Sequence, residues 1–242
     1  MILPRIRRGP APVLLIADHA SNHVPPDVRL DIAPALLETH IAVDIGAAAL
    51  TEALAVMADA TAIIAAVSRL VIDLNREPEA AAVIPVSSDG HAIGGNAALG
   101  PDERRSRLDA IHRPYHAAIA AQIADARPRL IVSVHSFTPR LAARPAEVRP
   151  WPIGILYNQD RRAAESALGW LAANGVMAGD NEPYSGRDLN YTMNRHAEAN
   201  AIPYLGLELR QDEIDNPDGI RRWCELLSRL IADIAAGLPR CP

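Results

Sequence analysis

Apolar residues along this chain come in short runs that stop at polar clusters. Val13 to Ala17 stops at Asp18-His19, Ile131 to Val134 at His135-Ser136, and Tyr204 to Leu207 at Glu208-Leu209-Arg210. Brief aliphatic runs rich in β-branched residues and bounded by turn-formers read as buried strands. The pattern predicts strands at 12–17, 61–67, 70–74, 130–134, 153–157 and 204–208. Elsewhere the apolar positions recur at three and four, the period of a helix with one buried face. Helices are predicted over 34–58, where Leu36, Leu37, Ile41, Ile45, Ala48 and Leu50 keep that spacing, and over 101–126 and 161–173. A last helix opens at Asn216-Pro217-Asp218, with Asn216 or Asp218 near its cap, and stops at Gly237-Leu238-Pro239. Stretches 77–100, 140–150 and 180–188 are rich in Gly, Pro, Ser and Asn and read as loops. The first is longer than ordinary connections and marks an active-site flap.

Strands that alternate with helices predict an α/β protein with a largely parallel sheet covered on both faces. At 242 residues and 49% hydrophobic, the chain suits one domain, 1–242, with a substantial core. That core must be aliphatic, since only 4% of the residues are aromatic. All 24 basic residues are arginine, so lysine-based chemistry is excluded. Net charge is −5 and no basic run exists, which argues against nucleic-acid binding. No uninterrupted apolar run approaches the ~20 residues of a membrane span, and no signal peptide is expected at the N-terminus. Cys224 in a predicted helix and Cys241 at the tail read as unpaired thiols, which fits a reducing cytoplasm.

In α/β folds chemistry gathers at the carboxyl ends of strands. His19 and His135 both follow a strand-like run, and two imidazoles so placed point to a shared zinc. A catalytic zinc takes about three protein ligands plus water, so a carboxylate should complete the set. Asp44, Asp18 and Glu208 are candidates; Asn22, three residues after His19, offers only a weak amide oxygen. Asp44 is preferred, because a helix over 34–58 would put it on one face with His40. Glu208, ending a strand, has the placement of a general base for water activation. Arg76 beside Asn75, together with Arg69 and Arg210, suits bidentate recognition of a carboxylate.

A set of motifs, in order along nearly the whole chain, resembles the N-formylglutamate amidohydrolase family. They are Asp18-His19-Ala20-Ser21-Asn22, His40-Ile41-Ala42 with Asp44-Ile45-Gly46-Ala47, and Ser68-Arg69-Leu70-Val71-Ile72-Asp73 with Asn75-Arg76. Pro114-Tyr115-His116, His135-Ser136-Phe137-Thr138-Pro139, Arg149-Pro150-Trp151, Gly179-Asp180-Asn181-Glu182-Pro183-Tyr184 and Glu208 with Arg210-Gln211-Asp212 complete them. The resemblance implies a three-layer αβα fold like that of zinc carboxypeptidases and aspartoacylase, with a mixed sheet and one zinc per chain. It implies His19 and His135 as zinc ligands, Glu208 as base, and Asn75-Arg76 as the holder of a substrate carboxylate; Ser136, inside one motif, is expected to bind substrate with Arg69 and Arg210. The chain departs from the carboxypeptidase pattern at Asn22, where that pattern has Glu. The implied reaction is hydrolysis of a small anionic N-acyl amino acid such as N-formylglutamate. Alternatives are a carboxypeptidase or amidase of short peptides, and a silent ligand-binding relative.

Overall fold

The computed structural model of the protein describes residues 1–238. Its strands are β1 (Arg5–Arg7), β2 (Val13–Ala17), β3 (Thr61–Ile64), β4 (Ser87–Ser88), β5 (His91–Ala92), β6 (Leu130–Phe137), β7 (Ile153–Leu156), β8 (Ala178–Asp180) and β9 (Tyr204–Arg210). Seven form one sheet in the order β1-β3-β2-β6-β9-β7-β8, and β4 and β5 make a separate hairpin. The centre, β3-β2-β6-β9, is parallel. β1 and β7 enter antiparallel, and β8 runs parallel to β7, so the sheet is mixed. β2, β3, β6 and β7 are buried at every position, which explains their largely apolar sequence in place of alternation, broken only by Thr61 in β3 and by Ser133, His135 and Ser136 in β6.

The helices are α1 (Ala47–Met57), the single turn α2 (Gly94–Ala97), α3 (Pro101–Arg107), α4 (Arg113–Ala126), α5 (Arg162–Ala173), α6 (Tyr191–His196) and α7 (Pro217–Gly237). α1 packs on β2, β3 and β6, α5 on β7, β8 and β9, and α7 lies against both helices. Trp223, Leu227, Leu230, Ile231 and Ile234 form the buried stripe of α7. Asn216 caps that helix by accepting from the Gly219 N–H at 3.0 Å. α4 and α6 pack together on the side of the molecule that backs the strand-end loops.

Three predicted elements differ in the structure. The segment 34–58 is not one helix; a short 3₁₀ turn at Pro34–Glu38 is separated from α1 by an irregular stretch. The Thr39 hydroxyl donates to the Leu36 carbonyl, and Gly46 takes a φ of +80°, so both ends of that stretch leave helical geometry. The Asp44 N–H donates to the His19 carbonyl, not to an earlier turn of helix. The run 70–74 is not a strand. Its Ser68 hydroxyl donates to the Ala42 carbonyl and accepts from the Leu70 N–H, holding a buried turn.

The helical stretch 101–126 contains a wide π turn at Leu108–His112, just before Pro114. Pro114 has no N–H to offer the Ala110 carbonyl, which instead accepts from the Ile2 N–H at 2.8 Å. β1, β8, α6 and the β4–β5 hairpin carry no apolar run that would announce them. Cys224 is buried and unpaired; Cys241 and Pro239 lie outside the described residues.

Candidate metal and substrate site

Five segments converge at the carboxyl end of the parallel strands. β2 leads into Asp18-His19, β6 carries His135 and Ser136, and β9 carries Glu208. Pairing of β6 with β9 sets His135 directly beside Glu208, one interstrand spacing (~4.8 Å) away and on the same side of the sheet. The irregular stretch before α1 supplies Asp44, and the turn after β3 supplies Arg69, Asp73, Asn75 and Arg76.

The His19 and His135 rings meet edge to face, their centroids 5.0 Å apart. Asp44 Oδ2 stands 2.9 Å from His135 Nδ1 and 3.5 Å from His19 Nδ1. One donor atom from each of His19, Asp44 and His135 lies within 4.8 Å of the others, so the three can hold a single metal ion. The far side of each ring faces another carboxylate. His19 Nε2 is 2.7 Å from Asp73 Oδ1, and His135 Nε2 is 3.6 Å from Asp18 Oδ2. Asp73, within hydrogen-bond reach of His19 Nε2, holds the proton there and leaves His19 Nδ1 as the lone-pair donor, the arrangement that supports metal-binding imidazoles, whereas Asp18 faces His135 Nε2 without bonding it. His19 Nδ1 is buried without a hydrogen-bond partner, as a ligand atom awaiting a cation would be. Asp18 is fixed in turn by the Tyr115 hydroxyl, which donates to Asp18 Oδ1 at 2.6 Å.

The electrostatics agree. Burial opposes charge on His135, yet Asp18 and Asp44 hold its pKa well above the ordinary imidazole range. Burial and Arg69 oppose charge on His19, and Asp73 and Asp44 override them. Burial would raise Asp44 and Asp73, but His19 and its cationic neighbours keep both well below the usual carboxylate range. The pocket is thus built to hold positive charge among carboxylates, and a cation displaces the ring protons when it binds. Glu208 differs. Burial pushes its carboxyl up to about 7, with Asp44 adding to the rise and His135 opposing it. A carboxyl with that pKa can both take and return a proton at neutral pH.

Arg69 bridges two acids, with Nη1 3.2 Å from Asp44 Oδ1 and Nη2 3.1 Å from Asp73 Oδ2. It therefore braces Asp44 and the carboxylate behind His19 while lining the pocket. Ser136 does related work, since its N–H reaches Asp44 Oδ2 and its hydroxyl donates to the Ile45 carbonyl. Asn75 accepts the Thr192 N–H on Oδ1 at 2.9 Å, which leaves its amide N–H₂ for the cavity. Arg76 Nε lies 3.9 Å from Asp73, a looser contact than any Arg69 makes. Arg210 is not brought to the cavity; it is held by Asp212 and Glu213. Asn22 turns to Glu38 at 2.9 Å.

These groups floor a cavity of about 340 Å³ whose roof is Ser88 and Asp89 from the hairpin and Leu141, Ala143 and Arg144 from the next loop. Asp89 joins the two roof segments. Its carboxylate accepts the N–H groups of Ala142 and Ala143 at 2.9 Å and sits 3.1 Å from His40 Nε2. A larger apolar groove between α1 and α7, about 830 Å³, contains no cluster of groups for chemistry. Sequence reasoning marked the 77–100 flap but not Asp89 or Arg144 within the roof. Tyr184, whose hydroxyl accepts from Arg149 at 3.0 Å, also lines the cavity. Its only local signal was membership in a family-like motif.

The family profile of N-formylglutamate amidohydrolases matches residues 11–214. The fold is similar to that of a gene product of Agrobacterium tumefaciens at 30% identity, covering 97% of this chain and 95% of that one, with a TM-score of 0.90. It is also similar to the N-formylglutamate amidohydrolase of Ralstonia eutropha at 19% identity, covering 98% of each chain, with a TM-score of 0.76. No curated protein matches the chain in sequence.

Proposed function

The chain belongs to the N-formylglutamate amidohydrolase family, and on that footing we propose that it hydrolyses the amide of N-formylglutamate or a related small N-acyl amino acid. The observation that carries the reading is the juxtaposition of His19, Asp44 and His135 with Glu208, beside Asn75 and Arg76, in one roofed cavity. We take the metal to be one zinc per chain, because two imidazoles and one carboxylate are a catalytic zinc donor set. Held there, zinc supplies polarisation of the acyl oxygen and brings the pKa of water from about 15.7 toward ~7. Asp73 and Asp18 keep the two histidines oriented, and Arg69 and Ser136 keep Asp44 in place.

The remaining steps belong to the protein. Arg76 and the Asn75 amide hold the substrate carboxylate, which sets the acyl carbon over the floor of the site. Glu208 takes the proton of the attacking water as the carbon–oxygen bond forms. It returns that proton to the nitrogen as the carbon–nitrogen bond breaks, giving a free carboxylic acid and the amino acid. A pKa of about 7 lets one carboxyl serve both transfers near neutrality. The cavity is sized for a small molecule, which favours an N-acyl amino acid over a peptide chain.

No helix among the described residues is long and apolar enough to cross a membrane. We place the activity in the cytoplasm, where the unpaired Cys224 thiol would stay reduced. Glu208→Gln tests the assignment. It should retain about one zinc per chain while kcat falls on the order of 10²- to 10⁴-fold. Unchanged turnover of N-formylglutamate in that variant would remove Glu208 from the reaction.

A further inference from the structure

One face of a single helix grips the back of the site at three points. His112, Tyr115 and His116 stand three and four residues apart, the spacing that aligns side chains on one helical face. His112 Nε2 is 2.9 Å from the Arg76 carbonyl and His116 Nε2 is 3.0 Å from the Leu74 carbonyl. A carbonyl only accepts, so both nitrogens donate. His116 Nδ1 is then an acceptor, and it receives His196 Nε2 at 2.9 Å from α6. The next residue group of α6 completes the grip, with the Thr192 N–H on Asn75 Oδ1 at 2.9 Å. All three histidines are buried and none lines the cavity. The wide turn at Leu108–His112 falls where this face begins, and such turns recur at functional sites because they re-aim side chains.

We infer that His112 and His116 are positioning residues that fix the backbone of Leu74-Asn75-Arg76, and so aim the Asn75 amide and the Arg76 guanidinium at a substrate carboxylate. This rests on the reading of Asn75 and Arg76 as the carboxylate holder. Two hydrogen bonds clamp the carbonyls on either side of Asn75, and a third sets which face of its amide looks into the cavity. Tyr115, between the two histidines, bonds Asp18 behind His135. The same helical face therefore keeps the carboxylate holder in register with the metal cluster. That distance decides whether a bound substrate presents its amide to Glu208.

The test uses the zinc-loaded enzyme and glutarate as a non-hydrolysable probe of the carboxylate holder, with binding read by calorimetry. It is paired with hydrolysis of N-formyl-L-glutamate and of its α-amide. His112→Leu should weaken glutarate binding about 10- to 30-fold, the loss expected when a charge-assisted hydrogen bond is misaimed. The variant's kcat/KM should fall by a similar factor on N-formyl-L-glutamate and by much less on the α-amide, with zinc content unchanged. His112→Gln carries an amide N–H at the reach of Nε2 and should recover binding to within about threefold of wild type. If His112→Leu fails to fold, His112→Asn, too short for the Arg76 carbonyl, takes its place and must show the same split.

Equal losses on both substrates, wild-type glutarate affinity in the Leu or Asn variant, or no recovery in His112→Gln would overturn the inference. So would wild-type enzyme that binds no glutarate. Wild-type enzyme that binds glutarate but hydrolyses neither substrate refutes the proposed reaction alone, and the binding series still decides the role of His112.

Discussion

Asp44 concentrates the logic of the site in one side chain. It touches both imidazoles, Arg69 and the Ser136 N–H, and it has almost no contact with solvent. Asp44→Asn keeps the shape but removes the charge that balances a cation, and should lower zinc affinity by orders of magnitude as measured by competition with a chelator. Asp73 acts one step further out, through His19 Nε2. Asp73→Asn should cost about 10- to 100-fold in zinc affinity, the usual range for a carboxylate that orients a metal-binding histidine. Affinity unchanged in Asp73→Asn would show that the His19 tautomer is set by something else.

How much of this was legible varies residue by residue. His19, His135 and Glu208 follow apolar runs, and the runs are visible in one dimension. Asp44 was chosen from a supposed helix face shared with His40, and it reaches the histidines by a different route. It sits in an irregular stretch tied to the His19 carbonyl, while His40 turns to Asp89. Arg210 follows Glu208 by two, yet Asp212 and Glu213 claim it, and nothing in the one-dimensional pattern tells which acids an arginine will meet. His116 shows in the sequence only as part of the motif Pro114-Tyr115-His116, and His112 not at all, because a helix-borne histidine on an apolar face reads as core. Only the fold shows the carbonyls they hold.

At the scale of elements, the failures of pattern reading cluster where backbone is diverted to the site. A 3.6-residue period from Leu36 to Leu50 is present, but Thr39 and Gly46 break the helix between its apolar halves, and the freed stretch delivers Asp44. Gly46 is required there twice over. Its φ of +80° suits residues without a side chain, and a Cβ would lie 2.2 Å from the Ile214 carbonyl oxygen. Gly46→Ala should therefore displace the Asp44 stretch. The expected result is a stability loss of about 2 kcal/mol or more in denaturant unfolding together with weakened zinc binding. A loss of stability with intact zinc affinity would show that the stretch moves independently of α1. The strands fare better than the helices in the sequence because β2, β3 and β6 are buried on both faces and are mostly apolar up to their site-bearing ends. β1 is a three-residue edge strand, Arg5-Ile6-Arg7, whose sequence holds no such signal.

For the whole molecule, the buried histidines make stability depend on pH in a direction the site alone would not predict. Burial holds His116 down to about 3, with His112 and His196 adding to the effect and Asp18 opposing it. Burial likewise holds His196 down to about 4, helped by Arg195 and opposed by Asp18. The rings of Tyr115 and Tyr191 pack edge-on against the His116 ring. In the unfolded chain both histidines would titrate near 6.5. Between pH 6.5 and 4 the unfolded state thus binds protons that the native state refuses, and stability falls as pH falls through that window.

The slope is at most ~1.4 kcal/mol per pH unit for each histidine. His19 and His135 do not cancel it. Their raised pKa values contribute stability that is fully present below about 6.5 and lost only at higher pH. Asp44 and Asp73, held low, begin to lose their contribution only as pH falls below about 4. Glu208 opposes the drop, because a carboxyl held at about 7 binds its proton in the folded state before the unfolded one and so offsets about one histidine's share between pH 7 and 4.5. His112, which burial also holds low, adds to the drop. With His112, His116 and His196 set against Glu208, urea unfolding of the metal-free protein should give a midpoint that drops from pH 6.5 to 4.5. His196→Leu, which places no titratable ring beside His116, should flatten that drop even though the variant is less stable overall. A midpoint that holds level across the window in the wild type would mean that His116 and His196 take up protons in the folded state, and that the pair is not locked in the neutral form its hydrogen bonds require.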